Sequence, residues 1–127
     1  MAGQVSILDN TFVVAAAVTN GVTRYQAVVS DGTDNELSLP GAVNAGKFLG
    51  ITQESQVAGM PCNVRMLGTT FAIASGAIAA GDDLITAATP GQVASVQTTG
   101  QTTPNIIGKA LSSATAAGDQ FLMLVKA

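Results

Sequence analysis

The chain states one pattern twice. Phe48-Leu49-Gly50-Ile51 leads through Ser55 and Ala58-Gly59 to Asn63-Val64-Arg65-Met66-Leu67. Later, Ile106-Ile107-Gly108-Lys109 leads through Ser113 and Ala116-Ala117-Gly118 to Phe121-Leu122-Met123-Leu124-Val125. Gly50 and Gly108 lie 58 residues apart (108 minus 50), and Ser55/Ser113, Ala58/Ala116 and Val64/Leu122 keep that spacing. Upstream, Thr11-Phe12-Val13-Val14-Ala15 has its counterpart in Thr70-Phe71-Ala72-Ile73-Ala74, one register further on. A duplicated, strand-rich unit restricts the fold to one closed or sandwiched β-body built from two halves, about 11–67 and 69–126.

Strand signals are short, frequent and punctuated by turn residues. They predict ten strands: Thr11–Val18, Arg24–Val29, Glu36–Leu39, Phe48–Gln53, Asn63–Leu67, Thr70–Ile73, Asp83–Thr86, Gln92–Val96, Ile106–Leu111 and Gln120–Lys126. That spacing is typical of an all-β barrel or sandwich with little or no helix. Two glycines close together in Ser75–Asp82 turn an alanine-rich stretch into a connection rather than a helix. Ser112–Ala117 could hold one helical turn, and Gln97–Pro104 reads as an exposed polar loop. Residues 1–10 precede the first strong signal as an amino-terminal arm or first edge strand, leaving 11–127 as a single β-domain.

Composition bounds the function. Charged residues are 10% of the chain, against about a quarter in an average soluble domain. No charge occurs between Asp83 and Lys109. A neutral, Thr-rich β-surface is one explanation; burial in an assembly, where interface centres lose charge, is the other. The net charge is −3, and the cations Arg24, Lys47, Arg65, Lys109 and Lys126 form no stripe, so nucleic acid is not an expected partner. The apolar stretch Phe12–Val18 is too short to span a bilayer and has no basic leader before it. Cytoplasmic synthesis and no membrane partner are the corresponding expectations.

Chemistry has little to work with. There is no histidine, which removes the usual base, the commonest metal ligand and every Ser-His or Cys-His pairing. The lone Cys62 has no partner for a disulfide or a CxxC motif and reads as a small buried hydrophobe. Asp31-Gly32-Thr33-Asp34-Asn35-Glu36 gathers three carboxylates, but its spacing differs from a calcium loop, and these are hairpin-turn residues. Asp82-Asp83 and Asp119 follow glycines and read as turn chemistry too. Glu54 and the aspartates offer no spacing that selects a glycosidase pair, and no glycine pattern opens a helix to cradle phosphate. Met60, Met66 and Met123 lie in strand-like runs and read as core. No enzyme, metal site, cofactor or small-molecule substrate is expected.

The second half has a distinctive cadence: Gly76-Ala77-Ile78-Ala79-Ala80-Gly81-Asp82-Asp83-Leu84, then Pro90-Gly91-Gln92-Val93, Ile107-Gly108-Lys109-Ala110-Leu111 and Ala116-Ala117-Gly118-Asp119. Over roughly residues 40–127 it resembles the small capsid decoration (cement) proteins of tailed bacteriophages, formerly a domain of unknown function. The resemblance implies a β-barrel or sandwich that binds the outside of the capsid lattice and reinforces it against internal DNA pressure. It also implies the major capsid protein as partner, frequent homotrimers and a place on the virion exterior. It carries no active site across. From the residues themselves, the candidate capsid contact is Gln4, Val5, Ser6, Ile7, Leu8 and Asp9, docking by strand addition. The alternative is that this segment is simply the barrel's first strand. A surface module for a glycan or receptor, and a tail or baseplate barrel, are the rival functions.

Overall fold

A computed structural model of the chain describes residues 5–126. Its spine is one long strand. The stretches expected as separate strands, Asn63–Leu67 and Thr70–Ile73, join through Gly68 into a 13-residue strand, Pro61–Ile73. Gly68 has a φ of 125°, which a side chain would oppose, so the glycine bends the ladder instead of ending it. Nine strands result where ten are expected: β1 (Val5–Val14), β2 (Ala27–Ser30), β3 (Glu36–Ser38), β4 (Phe48–Thr52), β5 (Pro61–Ile73), β6 (Asp83–Thr86), β7 (Val93–Ser95), β8 (Gly108–Ala110) and β9 (Gln120–Val125).

The first half closes on itself. Its strands run in the order β1-β3-β2-β4-β5, and β1 also pairs with β5, completing a five-stranded barrel. The junction between β1 and β3 is parallel, through Val13↔Glu36 and Val14↔Leu37. The remaining strands repeat that circuit around the far end of β5, in the order β5-β9-β8-β6-β7. A single parallel bridge, Ala74↔Val93, returns β7 to the residue that follows β5. β5 therefore serves as the last strand of the first half and the first strand of the second.

The repeated glycines have a shared cause. Gly50 lies opposite Val28, and Gly108 opposite Leu84. A Cβ on Gly50 would stand 2.3 Å from the Arg65 carbonyl oxygen, and one on Gly108 would stand 2.1 Å from that of Leu124. Each half crosses its neighbouring strand too closely for any side chain. The outer loops repeat as well, through the antiparallel bridges Val22↔Gln56 and Ile78↔Ala114.

Two apolar clusters fill the halves. Val14, Val22, Val28, Leu37, Cys62 and Val64 form the first. The second is larger and includes Ile78, Leu84, Ile107, Phe121, Met123 and Val125, reaching back to Ala27 and Ile51 of the first half. The buried hydroxyls are all bonded. Thr52 donates to the Thr23 carbonyl at 2.7 Å and accepts from the Gln26 amide at 2.9 Å. Thr86 donates to the Ala42 carbonyl and accepts from the Ala45 amide. Such pairing removes the desolvation cost that a lone buried hydroxyl carries.

Local differences from the expected pattern have local causes. The first strand begins at Val5 and stops at Val14; Ala15–Gly21 turn away through bonds from the Val18 amide to Ala15 and the Gly21 amide to Val18. Ser112–Ala117 forms no helix, because the Asp119 carboxylate captures the Thr115 and Ala116 amides at 3.0 Å each. Gln97–Pro104 opens within one helical turn, α1 (Val96–Thr99), capped by the Ser95 hydroxyl and closed by Gly100 in the left-handed region.

Candidate functional site

β1 is paired fully on one edge only. Along β5 its ladder runs from Val5↔Thr69 to Val13↔Pro61. On the other edge only Val13 and Val14 meet β3, so among the described residues Val5–Phe12 have no strand partner on that side. The Val13 amide still reaches the Asn35 carbonyl at 2.8 Å, whereas the Thr11 amide turns to the neighbouring Asn10 side chain at 2.8 Å. The register against β5 slips between Ser6 and Leu8 and again between Leu8 and Asp9. Regular alternation would turn Ile7 and Leu8 to opposite faces. With the slips, both stand out, at 67% and 49% exposure.

The six residues expected at the contact thus divide. Gln4 lies outside the described residues. Val5 and Ser6 supply backbone to β1, and Ile7 and Leu8 supply exposed apolar surface. Asp9 is committed inward. Its carboxylate accepts from Arg65 Nε at 2.9 Å and Nη2 at 3.2 Å, and from Asn63 Nδ2 at 3.3 Å. Arg65 Nη1 donates to the Thr69 carbonyl at 3.1 Å. This forked pair fixes β1 on β5 immediately after the slipped register.

More apolar surface lies at the other end of β1. Val13 is partly exposed and pairs with Pro61, and the Val14 amide donates to the Met60 carbonyl at 3.0 Å. Met60 is 47% exposed and Val57 66%. Met60, expected in the core, sits in the turn before β5 begins, so strand alternation does not reach it; Met66 and Met123 do pack inward. Among the described residues, five of the seven large exposed hydrophobic side chains belong to β1 or to the turn bonded to its end. Ile106 and Leu111 are the two in the second half.

Most of the other carboxylates are occupied in turns and pairs. Asp31 accepts from the Thr33 amide at 2.8 Å, and Asp82 from the Ala79 amide and the Ser95 hydroxyl. Glu54 accepts from the Asn63 amide at 2.9 Å, and Asp83 meets Lys109 at 3.1 Å. Burial, reinforced by the Glu54 charge, pushes the Cys62 thiol up to about 11, so it stays protonated at neutral pH. Among the described residues no three acids or cysteines gather to hold a metal.

Three comparisons with known proteins bear on this surface. No curated protein matches the chain. Among solved structures, the N base of the head fiber gp8.5 of bacteriophage phi29 is similar, with a TM-score of 0.64 at 21% identity, covering 93% of this chain and 92% of that one. At that identity the likeness speaks for the fold. The phage cement protein family model matches residues 9–126. With a match over nearly its whole length, this barrel with an open, apolar first strand belongs to the phage cement protein family.

Proposed function

We propose that the chain is a structural cement subunit that docks on the outside of an assembled phage head through β1 and stabilises the shell, acting as a homotrimer. The observation that carries the docking site is the edge of Val5–Phe12, open on one side and bearing Ile7 and Leu8. The internal repeat indicates how that edge is filled. By the Thr11/Thr70 correspondence, Val5–Asn10 match residues 64–69 of β5. Along β5 that same edge carries an antiparallel strand, β1 itself. An antiparallel segment of the shell protein lying along β1 would complete the repeat, and the exposed apolar pair would add side-chain burial. A modest interface suffices, because many copies on one lattice reinforce each other. The role is structural rather than catalytic, in keeping with the family and with carboxylates spent on turns. Tyr25 is no free platform for a sugar: it packs edge-on against Phe71, with Arg24 over its ring.

Purified protein added to expanded heads lacking it tests this reading. Wild type should occupy the heads and raise their melting temperature. Ile7→Asp/Leu8→Asp should keep the fold, since both side chains are exposed, and lower occupancy on the order of tenfold or more. Unchanged occupancy would remove β1 from the contact. Substitution is preferable to deleting residues 1–9, which would also strip Arg65 of its Asp9 partner.

A further inference from the structure

The five cations are used unequally. Arg65 is paired with Asp9, Lys109 with Asp83, and the Arg24 guanidinium lies 5.1 Å over the Tyr25 ring. Lys47 and Lys126 remain, and among the described residues neither has a carboxylate within ion-pair distance. They lie 79 residues apart in sequence (126 minus 47), yet both line one concavity of about 450 Å³. One wall comes from the first half, including Lys47 and Phe48; the other comes from the second half, including Asn105, Ile106 and Lys126.

The concavity is built rather than incidental. Asn44 ties the walls together: its Oδ1 accepts from the Asn105 amide at 2.6 Å, its carbonyl accepts from Asn105 Nδ2 at 3.0 Å, and its Nδ2 donates to the Thr103 carbonyl at 3.2 Å. Asn44 and Lys47 both hold left-handed backbone, with φ of 60° and 61°. A lysine in that conformation is unusual, and glycine would hold it with less strain. Keeping a cation at a position that favours glycine points to a use for the charge. Partly buried Phe48 and exposed Ile106 add apolar surface to the concavity that the two lysines line. Cations over an apolar lining suit a carboxylate carried on an aliphatic stem.

We propose that this concavity receives a carboxylate-bearing segment, glutamate or aspartate, of the protein on which the subunit sits. The inference rests on the docking reading above and adds a second, electrostatic contact to the apolar one at β1. Such a contact governs encounter rate and salt dependence more than total affinity.

Hexaglutamate titrated into the full chain, with hexalysine as the charge control, tests the pocket without any capsid. Amide shifts should saturate for residues 44–48 and 105–107, stay absent with hexalysine, and vanish at about 0.5 M salt. Lys47→Glu/Lys126→Glu should abolish them. Lys47→Gly separates charge from structure: it should keep or raise the melting temperature while weakening peptide binding several-fold. Scattered or non-saturating shifts, or unaltered binding by the double variant, would overturn the proposal. On undecorated heads the double variant should bind about tenfold more weakly at low salt and converge on wild type at high salt. If it decorates heads like wild type at every salt concentration, the pocket contact falls and the β1 docking reading stands. If wild type itself fails to decorate, the docking reading falls, and with it the partner named here, even where hexaglutamate binds. Self-association of wild type that the double variant loses would make a second copy's acidic Asp31–Glu36 turn the occupant, and so overturn the assignment.

Discussion

The two halves share a circuit of pairings and the same glycine at the same crossing, yet their first strands meet different surroundings. In the second half that strand is the far part of β5, with β9 on one edge, β1 along the other as far as Thr69, and a bridge from Ala74 to β7. In the first half it is β1, paired along β5 and, among the described residues, without a strand partner from Val5 to Phe12 on the other side. The same supersecondary unit is thus used once with its leading strand covered and once with it exposed. Duplication supplies a rigid support, and the uncovered copy supplies an edge with unspent pairing capacity.

The largest test of that comparison concerns the cores. Phe121 is nearly fully buried in the second cluster, and Leu37 is fully buried in the first. Phe121→Ala should cost about 4 kcal/mol and Leu37→Ala about 3 kcal/mol. Because β5 belongs to both ladders, each variant should lower one shared transition in differential scanning calorimetry. Two separated transitions would mean that the halves unfold independently.

Next come the crossing glycines. Gly50→Ala and Gly108→Ala each push a methyl group against a backbone oxygen that cannot swing aside. Both should lose about 3 kcal/mol, measured by urea unfolding. A tolerated Gly50→Ala beside a crippling Gly108→Ala would show that the repeat is one of sequence without equal packing.

These glycines also show what was legible beforehand. A close crossing admits one residue type, so Gly50 and Gly108 stand out in the sequence, and with them the two-half architecture. Gly68 misleads for a related reason: glycine reads as punctuation, and only the structure reveals that it bends a continuous strand. The exposure of Leu8 beside Ile7 depends on a register slip that leaves no composition signal. Met60 sits one residue outside its strand, where alternation has no authority. The Lys47–Lys126 concavity could not be read at all, since it joins distant positions through the fold.

The ion pairs give a smaller, directional contrast. Arg65 and Asp9 are mostly shielded, at 11% and 23% side-chain exposure, while Lys109 and Asp83 stand at 47% and 43%. Asp9→Ala leaves a shielded guanidinium without its forked partner and should cost about 2 kcal/mol. Asp83→Ala should cost about 0.5 kcal/mol or less. Amide exchange should also separate them, with β1 losing protection in the first variant and β6 and β8 barely changing in the second.

The smallest effect compares two acidic turns, one in each half, with opposite signs. Glu36 titrates above its ordinary value of 4.5, first through partial desolvation and then through its hydrogen bond to Asp31 and the repulsion of that charge. A carboxyl raised in the folded state favours folding when protonated. Its contribution is complete below about 4.5 and is lost as pH rises through the folded value. Asp119 titrates below its ordinary value of 3.8, because the Thr115 hydroxyl, the Thr115 amide and the Ala116 amide all bond the ionised form. Its contribution is present above about 3.8 and is lost as pH falls through the folded value. Melting temperature should therefore rise slightly as pH is lowered from neutrality toward 4.5, and fall below 3.8. Glu36→Gln should remove the rise and leave the fall. Asp119→Asn should blunt the fall and leave the rise. Both turns are open to solvent, so the changes will be modest, and it is their independence that matters. If either substitution altered both limbs, the two turns would be coupled through the shared strand, and the halves would be electrostatically one unit.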